Sequence, residues 1–222
     1  MARKTWIILG VVAALLAGGG AWYFLGGSGD SAVAAPQAGA DPITAHDMTM
    51  GNPKAKVVFI EYAAPMCPHC AHFNSEIMPG IKKDYIDTGK VFYVFRIFPI
   101  GAPDGVAEKL ARCLPNAKYF PFMDQLFRSQ QQWDPEYGVQ DVRGALLAQA
   151  RIAGMSEEQF NACNADTKEE AIINQVASEG QLRYNITGTP TIVVNGVNIS
   201  PGRVPSLEQM RGYLDAALAG KS

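Results

Sequence analysis

No basic run longer than the pairs Arg3-Lys4 and Lys82-Lys83 occurs in these 222 residues, and the formal net charge is −2. No nucleic-acid partner is expected, because phosphate binding needs a concentrated positive patch. Cysteine is scarce. Four residues are too few for a disulfide-rich miniature scaffold and too unevenly spaced for a repeated zinc motif. No internal repeat is evident. Charged residues make up only 18% against 48% hydrophobic, which excludes a globally disordered chain. The length allows one large domain, or a small one carrying an insertion.

Charge is missing altogether from Trp6 to Leu25, and Arg3 and Lys4 precede that run. Twenty uncharged residues are long for a signal-peptide core and long enough to span a bilayer. Residues 1–25 therefore read as a membrane anchor or signal segment, with the leading positive charges on the cytoplasmic side and Trp22 and Tyr23 near the outer interface. A cleavage-like Ala32-Val33-Ala34 lies far from the apolar run, which favours an uncleaved anchor. Residues 26–47 have no periodicity and read as a flexible linker. Residues 1–34 hold two basic and one acidic residue, so seventeen basic and twenty acidic remain beyond them, a net −3. That balance argues against a polybasic hold on lipid headgroups. Export places the remainder in an oxidising compartment, and this changes how each cysteine is read.

Beyond the linker, Gly51-Asn52-Pro53 reads as a turn. Val57 to Ala63 is an apolar, β-branched run of buried-strand type, and Val91 to Phe98 is a second, apolar on both faces apart from Arg96. Between them Phe73, Ile77 and Ile81 have helical spacing, with a kink or break expected at Pro79-Gly80 and a stop at Thr88-Gly89. From Pro99 to Pro190 the period is helical throughout. Val106, Leu110, Cys113 and Leu114 share one face, Phe120, Met123 and Phe127 continue the period, and Leu146, Leu147 and Ile152 end before Gly154. Ser156 with Gln159, Thr167 with Glu170 and Ser206 with Gln209 have capping-box spacing at three helix starts. Thr191 to Val194, the turn Asn195-Gly196 and Val197 to Ile199 predict a hairpin. The last helix runs through Met210, Tyr213, Leu214 and Leu218. The order is β-α-β, a helical block, then β-β-α.

The chemistry concentrates in Cys67-Pro68-His69-Cys70, at the junction between the first strand and its helix. Two intervening residues let one helical turn bring both sulfurs within bonding distance. At a helix N-terminus the unpaired N–H groups and the dipole favour a negative sulfur, the nucleophile and better leaving group of thiol–disulfide exchange. A structural zinc site would need two further ligands, and Cys113 and Cys163 are not a close pair. Haem attachment needs His directly after the second Cys, where Ala71 stands. No metal or cofactor is therefore expected, and redox catalysis stands ahead of an inert disulfide. A binding module with incidental cysteines is the reading of a different class, and it predicts that Cys67→Ser keeps all activity.

The element order, with Cys67-Pro68-His69-Cys70 opening the first helix and Gly188-Thr189-Pro190 opening the third core strand, resembles the thioredoxin fold. The Pro-His dipeptide and the large helical insertion, at about 102–186, look like the DsbA family of exported thiol–disulfide oxidoreductases. The resemblance covers about residues 47 to 219 of a thioredoxin-like domain at 48–219. It implies an α/β thioredoxin fold with the insertion between the second and third core strands. It also implies that Cys67 is the nucleophile, Cys70 the resolving thiol and Pro190 a cis-proline against the disulfide, which spacing alone does not require. Glu61, six residues before Cys67, matches the family's buried acidic residue. Thr189 departs from the Val of the best-known DsbA proteins and matches the DsbC and DsbG isomerases, which keeps a disulfide isomerase or reductase as the alternative.

Other residues carry two readings each. Pro68 lies inside the motif, and His69 is placed to give the Cys67 thiolate a hydrogen bond or partial charge, or is an ordinary loop residue. Glu61 is either a buried proton relay to Cys70 or a solvent-facing carboxylate. Thr189 would pair its backbone with an extended substrate segment. Cys113 and Cys163 form a structural disulfide contributing about 4 kcal/mol, or are two buried thiols acting as small hydrophobes. The expected partners are unfolded or partly folded Cys-containing proteins and a membrane redox partner of the DsbB or DsbD type. The expected location is the bacterial periplasm or extracytoplasmic face.

Overall fold

The computed structural model describes residues 42–200 and 203–221. The segment read as anchor or signal, and most of the segment read as linker, lie outside the described residues. Among the described residues no helix is long and apolar enough to cross a membrane.

Five strands form one mixed sheet in the order β1-β3-β2-β4-β5, built from β1 (Met48–Gly51), β2 (Val57–Ala63), β3 (Val91–Ile97), β4 (Thr191–Val194) and β5 (Val197–Asn198). The β2–β3 pair is parallel and every other pair antiparallel. Parallel pairing requires a crossover, and the helical run from Pro68 to Ile86 supplies it. The apolar runs of β2 and β3 follow from their position, because both faces of the sheet are covered.

Residue period two sorts those faces. Val57, Phe59, Tyr93, Phe95, Ile192 and Val194 join the large core with the crossover helix and the insertion. Ile60, Tyr62, Val94 and Val193 face the other way, packed with Ile186, Val176 and Tyr184. Glu61 shares the period of Phe59 and so points to the side of the cysteine-bearing helix. Gly180 on that second face allows a close approach: a Cβ there would meet the Tyr62 ring at 2.6 Å.

The crossover begins with α1 (Pro68–His72) and continues through a π-helical turn at Phe73–Ile77, α2 (Met78–Ile81) and a second π-helical turn at Lys82–Ile86. Of the kink or break expected at Pro79-Gly80, the break does not occur, and the helical run continues to Ile86. Met78 N–H donates to Phe73 O, five residues back, and this widened turn makes room for a proline whose ring would clash in a regular helix.

The insertion holds six α-helices: α3 (Ala102–Cys113), α4 (Asn116–Arg128), α5 (Gln130–Trp133), α6 (Val142–Ile152), α7 (Glu157–Asn164) and α8 (Thr167–Tyr184). Ser156 and Gln159 make the expected capping box, as do Ser206 and Gln209 before α9 (Leu207–Leu218). The box expected from Thr167 is displaced by one residue. Asp166 is the N-cap of α8 and accepts from the N–H groups of Lys168 and Glu169, a stronger acceptor set just outside the helix. Trp133 is fully buried at the heart of the insertion, its Nε1 donating to Leu126 O at 2.9 Å. Cys113 and Cys163 are bonded, tying α3 to α7 across fifty residues.

Strand β1 has no counterpart among the sequence expectations. It pairs antiparallel with β3, Met48 opposite Phe95. The residues just before it are also held. Asp47 takes Arg96 Nε and Nη2 at 2.7 and 2.9 Å, and Pro42 O accepts from Arg96 Nη2 at 3.0 Å. The one charge in β3 is therefore paired, as a nearly buried guanidinium requires.

Candidate active site

Cys67 is the N-cap of α1, with extended backbone, and Pro68 occupies the first helical position, where a missing N–H costs nothing. This is the local reason a helix starts here. The Cys67 sulfur replaces the usual hydroxyl cap and accepts from Cys70 N–H at 3.4 Å. Cys67 is 4% exposed and Cys70 fully buried. Both thiols are free in this structure, in the reduced form of the pair.

The two thiols are driven apart. The Cys70 thiol and the backbone N–H groups of Cys70 and His69, with help from the Thr189 side chain, favour the Cys67 anion and bring its pKa down to about 6 against the opposing effect of burial. Burial pushes Cys70 well above the ordinary thiol value, reinforced by its bond to Cys67 and by the charges of Cys67 and Glu61. One sulfur is a thiolate at neutral pH and the other a thiol.

Glu61 is 2% exposed, which excludes the solvent-facing alternative. Its Oε2 accepts from the Tyr93 hydroxyl at 2.8 Å. Burial raises its pKa to about 7, with Tyr93 opposing and the Cys67 charge adding to the rise. Tyr93 was not singled out from the sequence. The usable signal was its place in the β3 run, where it stands opposite Phe59 and on the same face as Glu61.

Thr189-Pro190 is a cis peptide bond, and Thr189 O lies 3.2 Å from Cys67 Sγ, a bond the sulfur donates in its thiol form and gives up on ionising. The cis-proline loop thus lies against the nucleophilic sulfur, as the resemblance implies. His69 is exposed and lines a cavity of about 460 Å³ with Thr187, Gly188, Thr189, Pro190 and Arg203. Its backbone N–H is among the groups that favour the Cys67 anion. His72 is an exposed helix residue.

Two residues of the insertion reach the site without any advance signal. Asp104 accepts from Met66 N–H at 2.7 Å, and Gln130 donates to Pro65 O and Cys67 O at 2.7 and 3.0 Å. Among the described residues no cluster of His, Cys, Asp and Glu suited to a metal ion is present. The arrangement supplies a nucleophilic sulfur, a buried partner sulfur, a titratable carboxyl behind them and an open backbone edge in front.

Comparison with known proteins agrees with this geometry. The thioredoxin family model matches residues 44–216. A putative protein-disulfide oxidoreductase of Rickettsia bellii is 35% identical over 158 residues, covering 70% of this chain and 59% of that protein. The chain therefore spans well under two thirds of the length of that relative. Disulfide bond formation protein D of Bacillus subtilis is 28% identical, covering 78% of this chain and 77% of that protein. Among solved structures, alpha-DsbA1 of Wolbachia pipientis superposes with a TM-score of 0.72 at 29% identity, covering 81% of this chain and 94% of that one. A fold, a cysteine pair at a helix start and a family model spanning most of the chain all coincide, and the chain belongs to the thioredoxin family as a DsbA-like member.

Proposed function

We propose that this protein is an exported thiol–disulfide oxidoreductase that oxidises cysteine pairs in folding proteins through the Cys67–Cys70 disulfide. The observation that carries the reading is the geometry of the pair: Cys67 Sγ caps the start of α1, accepting from Cys70 N–H beside the cis Thr189-Pro190 bond, while Cys70 is fully buried, an arrangement that lowers the Cys67 pKa and raises that of Cys70. A stabilised thiolate on Cys67 favours the reduced form of the pair, and a pair whose reduced form is stabilised is an oxidant.

In the oxidised enzyme a substrate thiolate attacks Cys67 Sγ, and the Cys67–Cys70 bond breaks. Cys70 leaves with the electron pair and takes up a proton, since its thiol form is strongly preferred. Glu61 is the group that relays this proton, being buried behind the pair with a pKa near neutrality. A second substrate thiolate then attacks the substrate sulfur of the mixed disulfide and expels Cys67 as thiolate. Two substrate thiols become one disulfide, and the enzyme ends as one thiolate and one thiol.

The Thr189 backbone beside Cys67 offers an extended substrate segment main-chain hydrogen bonds that do not depend on side-chain identity. Unfolded and partly folded Cys-containing proteins are the substrates this suits. The reduced pair must return to the disulfide, which calls for a membrane electron acceptor of the DsbB type, whereas a DsbD-type electron donor would serve the isomerase or reductase alternative. The apolar run Trp6 to Leu25 and the bonded Cys113–Cys163 pair both support an extracytoplasmic, oxidising location, the bacterial periplasm or its equivalent face. The test is oxidation of a reduced, unfolded protein by the purified oxidised enzyme. Rapid disulfide formation with little unscrambling is the expected result, and efficient unscrambling by the reduced enzyme would overturn it.

A further inference from the structure

The helical insertion grips the loop between β2 and α1 at three consecutive residues. Asp104, in the first turn of α3, is fully buried. Its Oδ1 accepts from Met66 N–H at 2.7 Å, and its Oδ2 accepts from Ile100 and Gly101 N–H at 2.9 and 3.1 Å. One carboxylate therefore joins the cysteine loop to the start of the insertion. Gln130, at the start of α5, is buried as well, and both bonds of its Nε2 end on the same loop, at Pro65 O and Cys67 O.

The Cys67 carbonyl is the acceptor of the first helical bond of α1, from Ala71 N–H at 3.0 Å. Gln130 thus fixes the peptide on which the helix start is built. Packing adds to this, since a Cβ at Gly101 would come within 2.9 Å of Met66 Sδ. The bond that the Cys67 sulfur accepts from Cys70 N–H is 3.4 Å long, and a hydrogen bond to an anion weakens steeply with distance and angle. A small rotation of the Cys67 peptide would lose much of it.

We propose that Asp104 and Gln130 are positioning residues for the cysteine pair, holding residues 65–67 so that the Cys67 sulfur stays aligned with the N–H groups at the start of α1. This rests on the redox reading of the site given above. The insertion is then part of the redox machinery and not only a cover for it. Neither side chain reaches a sulfur, so the effect is carried by backbone geometry.

The test compares Gln130→Met, which keeps length and removes both donors, with Asp104→Ala and Asp104→Asn, the last keeping one acceptor oxygen while its NH2 faces backbone N–H groups on the other side. The readouts are the pH midpoint of the thiolate ultraviolet absorbance, the equilibrium constant with glutathione, and the Tm of the oxidised and reduced forms. Gln130→Met and Asp104→Ala are expected to move the Cys67 midpoint up by about one unit and to make the pair several-fold to tenfold less oxidising. Asp104→Asn, which can satisfy only one side of the bridge, is expected to fall between Asp104→Ala and wild type. A lowered Tm with wild-type midpoint and glutathione constant in both disruptive variants would overturn the proposal, leaving the two residues as braces. Gln130→Leu, which also lacks a donor, replaces Gln130→Met if that variant does not fold. A wild-type pair that does not equilibrate with glutathione would instead sink the redox reading itself.

Discussion

The Tyr93 hydroxyl donates a 2.8 Å hydrogen bond to Glu61 Oε2 behind the cysteine-bearing helix. The bond favours the carboxylate, and burial outweighs it, so that Glu61 titrates near neutrality. Folded Glu61 holds its proton up to about pH 7, while the unfolded chain releases it near 4.5. Between those values the folded state binds more protons, so this residue's contribution to stability is full below about 4.5 and is lost as pH rises to 7. Glu61→Gln is expected to flatten that slope and to stabilise the protein at pH 8 by roughly 2–3 kcal/mol. Urea unfolding at pH 5 and pH 8 checks it. The same variant should slow attack of Cys70 on a mixed disulfide about tenfold, read in stopped-flow traces.

Cys67 has the opposite sign. Its folded pKa is depressed to about 6 from 9, so the unfolded chain binds the proton between those values. The reduced protein therefore gains stability as pH rises from 6 to 9, and the oxidised protein, with no free Cys67 thiol, does not. Alkylation of the reduced enzyme should be half-maximal near pH 6. The Cys70 thiol is the largest influence lowering Cys67, so Cys70→Ala is expected to move that midpoint up by about one unit or more.

The Cys113–Cys163 bond closes a long loop within the insertion, away from the reacting sulfurs. Replacing both cysteines with alanine should cost about 2–4 kcal/mol of unfolding free energy. Oxidation of a small dithiol by Cys67–Cys70 should stay within about twofold of wild type, because neither residue touches the site. Denaturant titration with the Cys67–Cys70 pair held in one redox state measures the first, and a stopped-flow assay the second.

Arg96 and Asp47 form a nearly buried pair in which the guanidinium also bonds Tyr62 and Pro42. Removing one partner leaves the other charge buried. Asp47→Ala is expected to lower stability by about 3 kcal/mol and to expose residues 42–47 to proteolysis, with the cysteine chemistry intact.

The parts legible in the sequence were those written in local pattern. The strand ahead of Cys67, the helix start at Pro68 and the Asn195-Gly196 turn each follow from a few adjacent residues, and both turn residues have positive φ as expected. Period two could place Glu61 on a face, but which face was covered depended on the helices around it. Asp104 and Gln130 were invisible as site residues because the loop atoms they hold, at residues 65–67, are backbone atoms more than thirty residues away, and backbone atoms leave no sequence signature. Strand β1 escaped for a related reason. Met48–Gly51 is only four residues long, too short a run to signal a strand on its own, and pairs with β3. The thioredoxin order and the cysteine pair carried the family, while the support of that pair by the insertion needed three dimensions.

The central claim is that the surroundings of Cys67 stabilise its thiolate and make the pair an oxidant. A redox titration of Cys67–Cys70 against glutathione buffers tests it most directly. The account predicts a reduction potential more positive than about −200 mV, towards the about −120 mV of strongly oxidising dithiols. A value near the about −270 mV of thioredoxin would contradict it.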